Sequence, residues 1–222
     1  MEQSFDSYEH IVWDGGSEDE TLAIIEHYPH IKLFQGKDKG IADAMNRAAA
    51  HASGEYLLHL HGDDCLANRD TLLSVERALK AHVEPAWLYG QAHIIDANDR
   101  VLKTTPFEYY SAKRLRKYNF ITHPATFVSR EIFKKLGGFR PQWKYCMDYD
   151  LWLRLSEVAP PFALRRPLAC FRAHIHSLST NEPKGVANEA YAVRNQYLKS
   201  PLERLRSYMT WKRRLNKILK GF

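Results

Sequence analysis

A candidate for a buried strand runs directly into two adjacent carboxylates. Residues Glu55 to Leu60 read EYLLHL, and His61-Gly62-Asp63-Asp64 follow at once. An apolar run of this length is long enough for a buried strand and too short for a typical helix. Neighbouring carboxylates repel each other unless a cation or proton joins them, and Mg²⁺ usually takes a carboxylate or two plus substrate phosphates. The segment is therefore a candidate site for a metal-bound phosphate, although a solvated Gly-Asp-Asp turn explains it equally well.

Two earlier segments place polar residues where a strand ends or a helix begins. Asp14 follows the strand candidate His10–Trp13 and can accept hydrogen bonds from a nucleotide's base or ribose. Asp38-Lys39-Gly40 precedes a helix that carries Asn46, and a helix N-terminus beside a lysine suits an anionic ligand. Read singly, an Asx turn and a capped, solvent-facing helix start are the more ordinary interpretations.

Two later segments add an acid-bearing helix and a basic loop. In Asp148-Tyr149-Asp150-Leu151-Trp152-Leu153-Arg154-Leu155, apolar side chains can face a core while Asp148 lies in the first turn. A helix N-terminus stabilises the ionised acid, so Asp148 suits a general base only if apolar neighbours raise its pKa. An acid that merely complements the helix dipole is the alternative. Arg172-Ala173-His174-Ile175-His176-Ser177 can neutralise a leaving diphosphate or ligate a metal, although solvated loop histidines are common.

Alternating strands and helices carry the first of these residues. Strands are predicted at His10–Trp13, Ile31–Phe34 and Glu55–Leu60, and helices at Glu18–His27 with Ser17 as N-cap, from Gly40 onward, and at Arg69–Ala81. Such alternation with short links is typical of a parallel sheet. Asp14 and Asp63 are therefore expected at one edge of a single sheet.

The pattern changes after Glu84. Strands are predicted at Trp87–Tyr89, His93–Ile95, Val101–Lys103 and Phe162–Phe171, and helices at Ser111–Tyr118, Arg130–Leu136, from Met147, at Val186–Lys199 and at Leu202–Lys220. We predict an α/β fold in which residues 1–180 form one domain and residues 181–222 form a C-terminal helical tail.

Composition and charge narrow the function. Three widely spaced cysteines, a polar N-terminus and the lack of a long apolar segment predict a cytoplasmic protein. Residues 197–222 hold eight Lys/Arg against one acid, whereas the rest of the chain has a net charge of −1. The near-neutral body argues against a nucleic-acid partner. Dehydrogenase, P-loop, zincin and α/β-hydrolase motifs do not occur.

The basic tail has two interpretations. Its apolar residues can form one helical stripe surrounded by Lys and Arg; they are Leu198, Leu202, Leu205, Met209, Leu215, Ile218, Leu219 and Phe222. A helix of this kind can lie on an anionic membrane surface, which would place the protein at the inner face of the plasma membrane. A helix packed on the body with a solvated basic face fits equally well.

Five segments, taken together and in this order, resemble the family 2 glycosyltransferases with the GT-A fold, a Rossmann-like mixed sheet flanked by helices. They are HIVWDGGSEDET, GKDKGIADAMNRAAAHASGEYLLHLHGDD, HPATFVSREIFKKLGGF, MDYDLWLRL and FRAHIHSLS, and they cover most of residues 8–180. The resemblance implies inverting transfer of a sugar from a nucleotide-diphosphate donor, with a UDP-sugar the first candidate. The implied acceptor is a glycan or polyprenyl-linked hydroxyl in cell-surface polysaccharide synthesis, and the implied cofactor is Mg²⁺ or Mn²⁺.

The resemblance also implies roles for individual residues. Asp148 would be the catalytic base. Asp63 would be the closing metal ligand of a DxD motif that has His61 in its first place, and His174 would be a further metal ligand. The other implied residues bind the donor (Asp14, Gly15, Lys39, Gly40 and Asn46, together with Asp63) or lie on the acceptor side (Asp150, Trp152 and Arg172).

The chain departs from the family pattern at three places. His61 replaces the usual first acid, and imidazole suits Mn²⁺ better than Mg²⁺. Met147 takes the first place of the acidic pair before the acceptor-side helix. Nine residues precede His10 where the family has a strand and helix of roughly thirty residues, so we expect an N-terminally truncated sheet with an unpaired edge. A non-catalytic nucleotide-sugar-binding or scaffold protein of the same fold is the alternative to an enzyme.

Overall fold

The computed structural model describes residues 3–82, 84–174 and 181–220. The strands are β1 (His10–Asp14), β2 (Ile31–Gln35), β3 (Tyr56–Leu58), β4 (Cys65–Leu66), β5 (Trp87–Ile95), β6 (Val101–Thr104), β7 (Thr126–Ser129) and β8 (Phe162–Arg172). The helices are α1 (Thr21–Glu26), α2 (Ile41–Ala50), α3 (Thr71–Ala81), α4 (Ala112–Leu115), α5 (Arg130–Lys135), α6 (Met147–Val158), α7 (Pro183–Asn195) and α8 (Pro201–Leu219), with a 3-10 turn at His123–Ala125. The predicted α/β class is confirmed.

The strands form one mixed sheet and one separate pair. The larger sheet has the order β3-β7-β5-β8-β4, with β6 also paired to β5. In it β5 and β8 run parallel, whereas the other pairings are antiparallel. β1 and β2 pair in parallel in a two-stranded sheet of their own. The prediction of one parallel sheet through β1, β2 and β3 is therefore wrong, because β3 takes β7 as its antiparallel partner.

One carboxylate joins the starts of the two sheets. Glu9, just before β1, accepts hydrogen bonds from the backbone amides of Ser53 and Gly54, at 2.6 and 2.9 Å, just before β3. Lys32 of β2 donates to the same side chain at 2.7 Å, and this bond is the main reason that the pKa of Glu9 falls to about 2. The strand pair is thus held beside the larger sheet by side-chain contacts rather than by a ladder.

Helix α6 packs on the centre of the larger sheet. Trp152 stacks on Trp87 of β5 with ring centroids 5.8 Å apart and planes 8° from parallel. Tyr149, Leu151 and Leu155 of the same helix are fully buried. Because these side chains are close-packed in the core, they fix the position of the N-terminal turn of α6.

Several predicted element boundaries require correction. Ser17 is not a helix N-cap, because its amide bonds to Asp14 and α1 begins only at Thr21. The two short strands at 87–89 and 93–95 are one continuous strand, β5. The helix predicted over 111–118 is the shorter α4, capped by the Ser111 side chain. The predicted boundary at residue 180, together with His176, lies outside the described residues.

Candidate functional site

Two loops meet where β1 and β2 end. Asp14 is buried and its carboxylate accepts hydrogen bonds from the amides of Gly16 and Ser17, at 3.0 and 3.1 Å. Hydrogen bonds from Ser17, its side chain first, hold the pKa of Asp14 below its usual value. A Cβ on Gly15 would lie 2.6 Å from the Asp38 Oδ2 atom, so a larger residue there would require the Asp38 side chain to shift. Asp38 in turn accepts from the Gly40 amide at 2.9 Å.

The start of α2 forms one wall of an open cavity of about 340 Å³. Lys39 and Gly40 line it on one side, and Trp143 and Lys144 from the connection between α5 and α6 line it on the other. Gly40 has a φ of +110°, a backbone conformation that residues with a side chain rarely adopt. This conformation directs the chain into the helix. A lysine beside a helix N-terminus makes this cavity suitable for an anionic group.

The predicted metal segment lies in a turn that is braced by the end of β8. Asp63 Oδ2 is 2.6 Å from His174 Nε2. The Arg172 side chain donates to the Asp63 carbonyl at 3.0 Å, to the Asp96 carbonyl at 2.8 Å and to the Asp99 carboxylate at 2.7 Å. Arg172 thus positions the turn that carries Asp63.

The donor set at this turn suits a divalent cation that also binds substrate phosphates. Asp63 and His174 bring one carboxylate and one imidazole into contact with each other, and Mn²⁺ accepts ligands of both kinds. Beside them, Asp64 Oδ2 is buried without a hydrogen-bond partner in the described part of the chain, and burial raises the pKa of Asp64 to about 6. A cation beside the turn would stabilise both carboxylates.

The His61 ring lies close enough to Asp63 for that carboxylate to favour its charged form, although burial has the larger effect on its pKa. It stacks on His123 with centroids 5.3 Å apart, and burial lowers its pKa, which keeps the imidazole neutral. Among residues 3–82, 84–174 and 181–220, no group of three His, Cys, Asp or Glu side chains is arranged to hold a metal. A complete ligand shell in this region would therefore need oxygen atoms from the donor or from water.

A second cavity, of about 230 Å³, lies over the N-terminus of α6. Asp148, Tyr149, Tyr118 and Asn119 line it, together with residues of the two C-terminal helices. Asp148 Oδ1 accepts from the Tyr149 amide at 2.7 Å, and Asp148 Oδ2 accepts from the Asn119 side chain at 3.3 Å. Although both bonds favour the carboxylate, burial outweighs them and raises the pKa of Asp148 to about 6. An acid tuned in this way can work as a general base near neutral pH.

Three residues to which the resemblance assigns ligand binding have side chains that contact the protein framework. Both amide atoms of Asn46 bond to the Phe139 backbone, at 2.7 and 2.9 Å. Asp150 is fully buried between Arg154 and Arg140, at 2.8 and 3.2 Å. Trp152 is 2% exposed in the core. We therefore treat these side chains as the framework of the cavities and not as their lining.

The two cavities share the chain segment that joins α5 to α6. Trp143 and Lys144 face the first cavity, and Tyr145 and Cys146 face the second. The amides of 144, 145 and 146 all bond to Glu189 of α7, at 2.8, 2.5 and 2.6 Å, so this helix fixes the segment. The structure thus brings Lys39 and Asp148 to opposite sides of one short wall. Asn119 and Trp143, which line the cavities, could not be predicted from the sequence because they belong to no motif.

Comparisons with known proteins show the family of this chain. The family model described as glycosyl transferase family 2 matches residues 1–137 of the 222-residue chain. An uncharacterized glycosyltransferase of Mycobacterium tuberculosis is 33% identical over 171 residues, which are 73% of this chain and 63% of that protein. This chain therefore spans less than two thirds of the length of that relative.

Solved structures show the same fold. Staphylococcus aureus TarS, residues 1–349 in complex with UDP, matches with a TM-score of 0.68 at 19% identity, over 97% of this chain and 64% of that one. The mannosyltransferase PcManGT of Pyrobaculum calidifontis, in complex with GDP-Man and Mn²⁺, matches with a TM-score of 0.63 at 18% identity, over 94% of this chain and 62% of that one. The predicted mixed sheet flanked by helices is confirmed as the fold of these GT-A proteins.

Proposed function

The chain belongs to glycosyl transferase family 2, and we propose that it transfers a sugar from a nucleotide-diphosphate donor to an acceptor hydroxyl with inversion. The observation that carries this proposal is the environment of Asp148. Its carboxylate lines a cavity, is held by Asn119, and has a pKa raised to about 6 by burial. A base of that strength, beside a cavity for a hydroxyl-bearing molecule, is what glycosyl transfer requires.

In the proposed reaction, Asp148 accepts the proton of the acceptor hydroxyl. An acceptor hydroxyl in the second cavity gives its proton to the carboxylate as its oxygen attacks the anomeric carbon of the donor. The bond between that carbon and the diphosphate oxygen breaks on the opposite face, and its electron pair leaves with the diphosphate. Asn119 keeps the carboxylate oriented during the step, since its amide already donates to Oδ2 in the free protein.

The donor is proposed to occupy the region between the β1 loop and the first cavity. In this proposal Asp14 and Gly15 contact the nucleotide, and Lys39, which lines the first cavity with Gly40, supplies positive charge for the diphosphate. A UDP-sugar is the first candidate, because TarS binds UDP in a structure of the same fold. A divalent metal held by Asp63 and His174, with Mn²⁺ favoured over Mg²⁺, would stabilise the charge of the leaving diphosphate.

The acceptor is proposed to be a glycan or a polyprenyl-linked sugar of cell-surface polysaccharide synthesis, met at the inner face of the plasma membrane. In the described part of the chain, no helix is both long and apolar enough to cross a bilayer. Helix α8 instead exposes Leu202, Leu205 and Met209, which are 55%, 55% and 48% exposed, among basic side chains. This combination supports contact with an anionic membrane surface.

Calorimetry with UDP-sugars and Mn²⁺, followed by an assay for sugar release or transfer, tests the proposal. We expect binding, turnover and an inverted anomeric configuration in the product by NMR. Binding without turnover on any acceptor would favour the non-catalytic binding or scaffold alternative. A retained configuration would contradict the direct displacement by an Asp148-activated hydroxyl.

A further inference from the structure

The cavity that contains Asp148 also holds two guanidinium groups from the C-terminal helices. Arg194 of α7 and Arg214 of α8 both line it. Arg194 is 7% exposed, and it donates to the Ser207 hydroxyl at 2.7 Å, the Ser207 carbonyl at 3.0 Å and the Lys117 carbonyl at 3.3 Å. Three of its five N–H groups are therefore used by the framework. Arg214 makes no hydrogen bond or ion pair within residues 3–82, 84–174 and 181–220.

The positive charge of this cavity exceeds its negative charge. Among the described residues that line the cavity, Asp148 is the one acidic side chain, and burial already disfavours its ionised form. Glu189 lies nearby, but its carboxylate is occupied by the amides of residues 144–146. Burial lowers the pKa of Arg194, and the like charge of Arg214 adds to that effect. Two cations against one carboxyl group of raised pKa leave the cavity with a net positive charge, which favours the binding of an anion.

The fold holds Arg214 in this place. Helix α8 begins with a capping box in which Ser200 and Glu203 bond reciprocally. Trp211, one turn before Arg214, stacks on Tyr191 of α7 with centroids 4.9 Å apart and donates to Asn188 at 2.9 Å. Arg214 is therefore carried by a helix that is docked on α7, and only its flexible side chain needs to move to meet a ligand.

We propose that the acceptor carries a negative charge of its own, a phosphate or a carboxylate close to the reacting hydroxyl, and that Arg214 binds this group. The inference rests on the proposed function, because it takes the Asp148 cavity as the acceptor site. Guanidinium is suited to both anions, since its planar donors match two oxygens at once. The phosphate of a lipid-linked sugar and the carboxylate of an acidic sugar share this chemistry.

Saturation-transfer NMR on the full chain, with UDP and Mn²⁺ present to occupy the donor site, tests the proposal with three probes: glucose, glucose 1-phosphate and glucuronic acid. We expect at least one charged probe to bind about tenfold more tightly than glucose, which corresponds to about 1.4 kcal/mol. Arg214→Gln should remove that preference and Arg214→Lys should keep part of it. Arg213→Gln is the matched control, because Arg213 is the adjacent exposed residue and does not line the cavity.

Preference for glucose 1-phosphate identifies a phosphate acceptor, and preference for glucuronic acid identifies an acidic sugar. Equal binding of the three probes, no binding of any, or a preference that survives Arg214→Gln would overturn the proposal. Melting curves of each variant show whether the fold is intact. The two proposals fail separately: loss of UDP binding and turnover with an intact Arg214-dependent preference would refute the transferase and keep the anion site. Turnover with UDP-sugars together with equal binding of the three probes would do the reverse.

Discussion

Asn119 and Asp148, which are 29 residues apart in the chain, meet through a 3.3 Å contact between the Asn119 Nδ2 atom and the Asp148 Oδ2 atom. The amide stabilises the ionised carboxylate, whereas burial of the same carboxylate destabilises it, and burial has the larger effect. The pair therefore sets how strong a base the cavity contains. Several outcomes of mutagenesis depend on it.

Replacement of Asp148 by Asn should remove the base and keep the shape of the side chain. We expect transfer to fall by roughly 10²–10⁴-fold, the usual contribution of general base catalysis. UDP affinity should change little, because Asp148 lines the second cavity whereas Lys39 lines the first. Glu157→Gln, an exposed change on the same helix, is the control. Normal turnover by Asp148→Asn would remove this residue from the mechanism.

The transfer rate should depend on pH through the same carboxylate. With its pKa near 6 in the folded protein, Asp148 is protonated and inactive below that value and becomes an active base above it. We expect the rate to rise about tenfold per pH unit below pH 6 and to level off above it. Asn119→Ala should move the midpoint upward, since it removes a bond that favours the charged form. The pKa of Asp64 is also raised to about 6, so Asp64→Asn, which should leave the midpoint in place, is the control.

The buried pair of Asp150 and Arg154 should govern stability rather than acceptor binding. Asp150 is 0% exposed and Arg154 7% exposed, with Nε and Oδ2 2.8 Å apart. Asp150→Ala would leave the guanidinium buried and without its partner, which typically costs about 3–5 kcal/mol. Urea denaturation should report that loss. A change below about 1 kcal/mol, the value typical of exposed ion pairs, would contradict the structural role given to Asp150.

Helices and strands with a clear apolar periodicity of their own were predicted correctly from the sequence. β1, β2, α2 and α3 lie within a few residues of their predicted bounds, and α6 begins at Met147 as expected. Strand pairing was harder to predict because it depends on partners far along the chain. β3 reads as the next strand of a parallel sheet, yet it pairs with β7 about seventy residues later. β7 itself is short and lacks a clear signal of its own.

The residues of the candidate site were also predictable only where the signal is local. Asp148 and Lys39 lie at the starts of helices, where sequence alone gives their position, and both line cavities. Asn46 also lies in a segment that matches a family motif. Its side-chain amide bonds to Phe139, 93 residues away, and a contact over that separation cannot be predicted from a local pattern. Arg214 belongs to a run of basic residues that the sequence does not distinguish from one another. The packing of α8 on α7 determines that Arg214, and not Arg213, lines the cavity.

Arg172 should act on metal binding through the turn that it braces. Its side chain makes three hydrogen bonds, to Asp63, Asp96 and Asp99, and its amide donates to Asp64 at 3.2 Å. Arg172→Gln keeps the backbone bond and loses most of the others, so the Asp63 carboxylate should become less well positioned. We expect Mn²⁺ affinity, measured by electron paramagnetic resonance, to fall about tenfold while the melting temperature changes little. Arg100→Gln, on the neighbouring turn, is the control; an equal loss there would refute a specific effect of Arg172.

Helix α8 should bind anionic vesicles through its exposed apolar residues. Leu205 and Met209 lie one turn apart and are each about half exposed, and Arg206 and Arg213 lie close to them on the helix surface. Replacement of both by Asp removes apolar area and adds negative charge, so co-sedimentation with phosphatidylserine vesicles should fall at least tenfold. Leu102→Asp is the matched control, because Leu102 is 61% exposed on β6, away from the basic helix. Since each Lys or Arg near the surface contributes about 1 kcal/mol that salt screens, binding should also weaken with ionic strength. Binding that persists after deletion of residues 201–222, or that responds equally to the Leu102 change, would exclude α8 as the membrane contact.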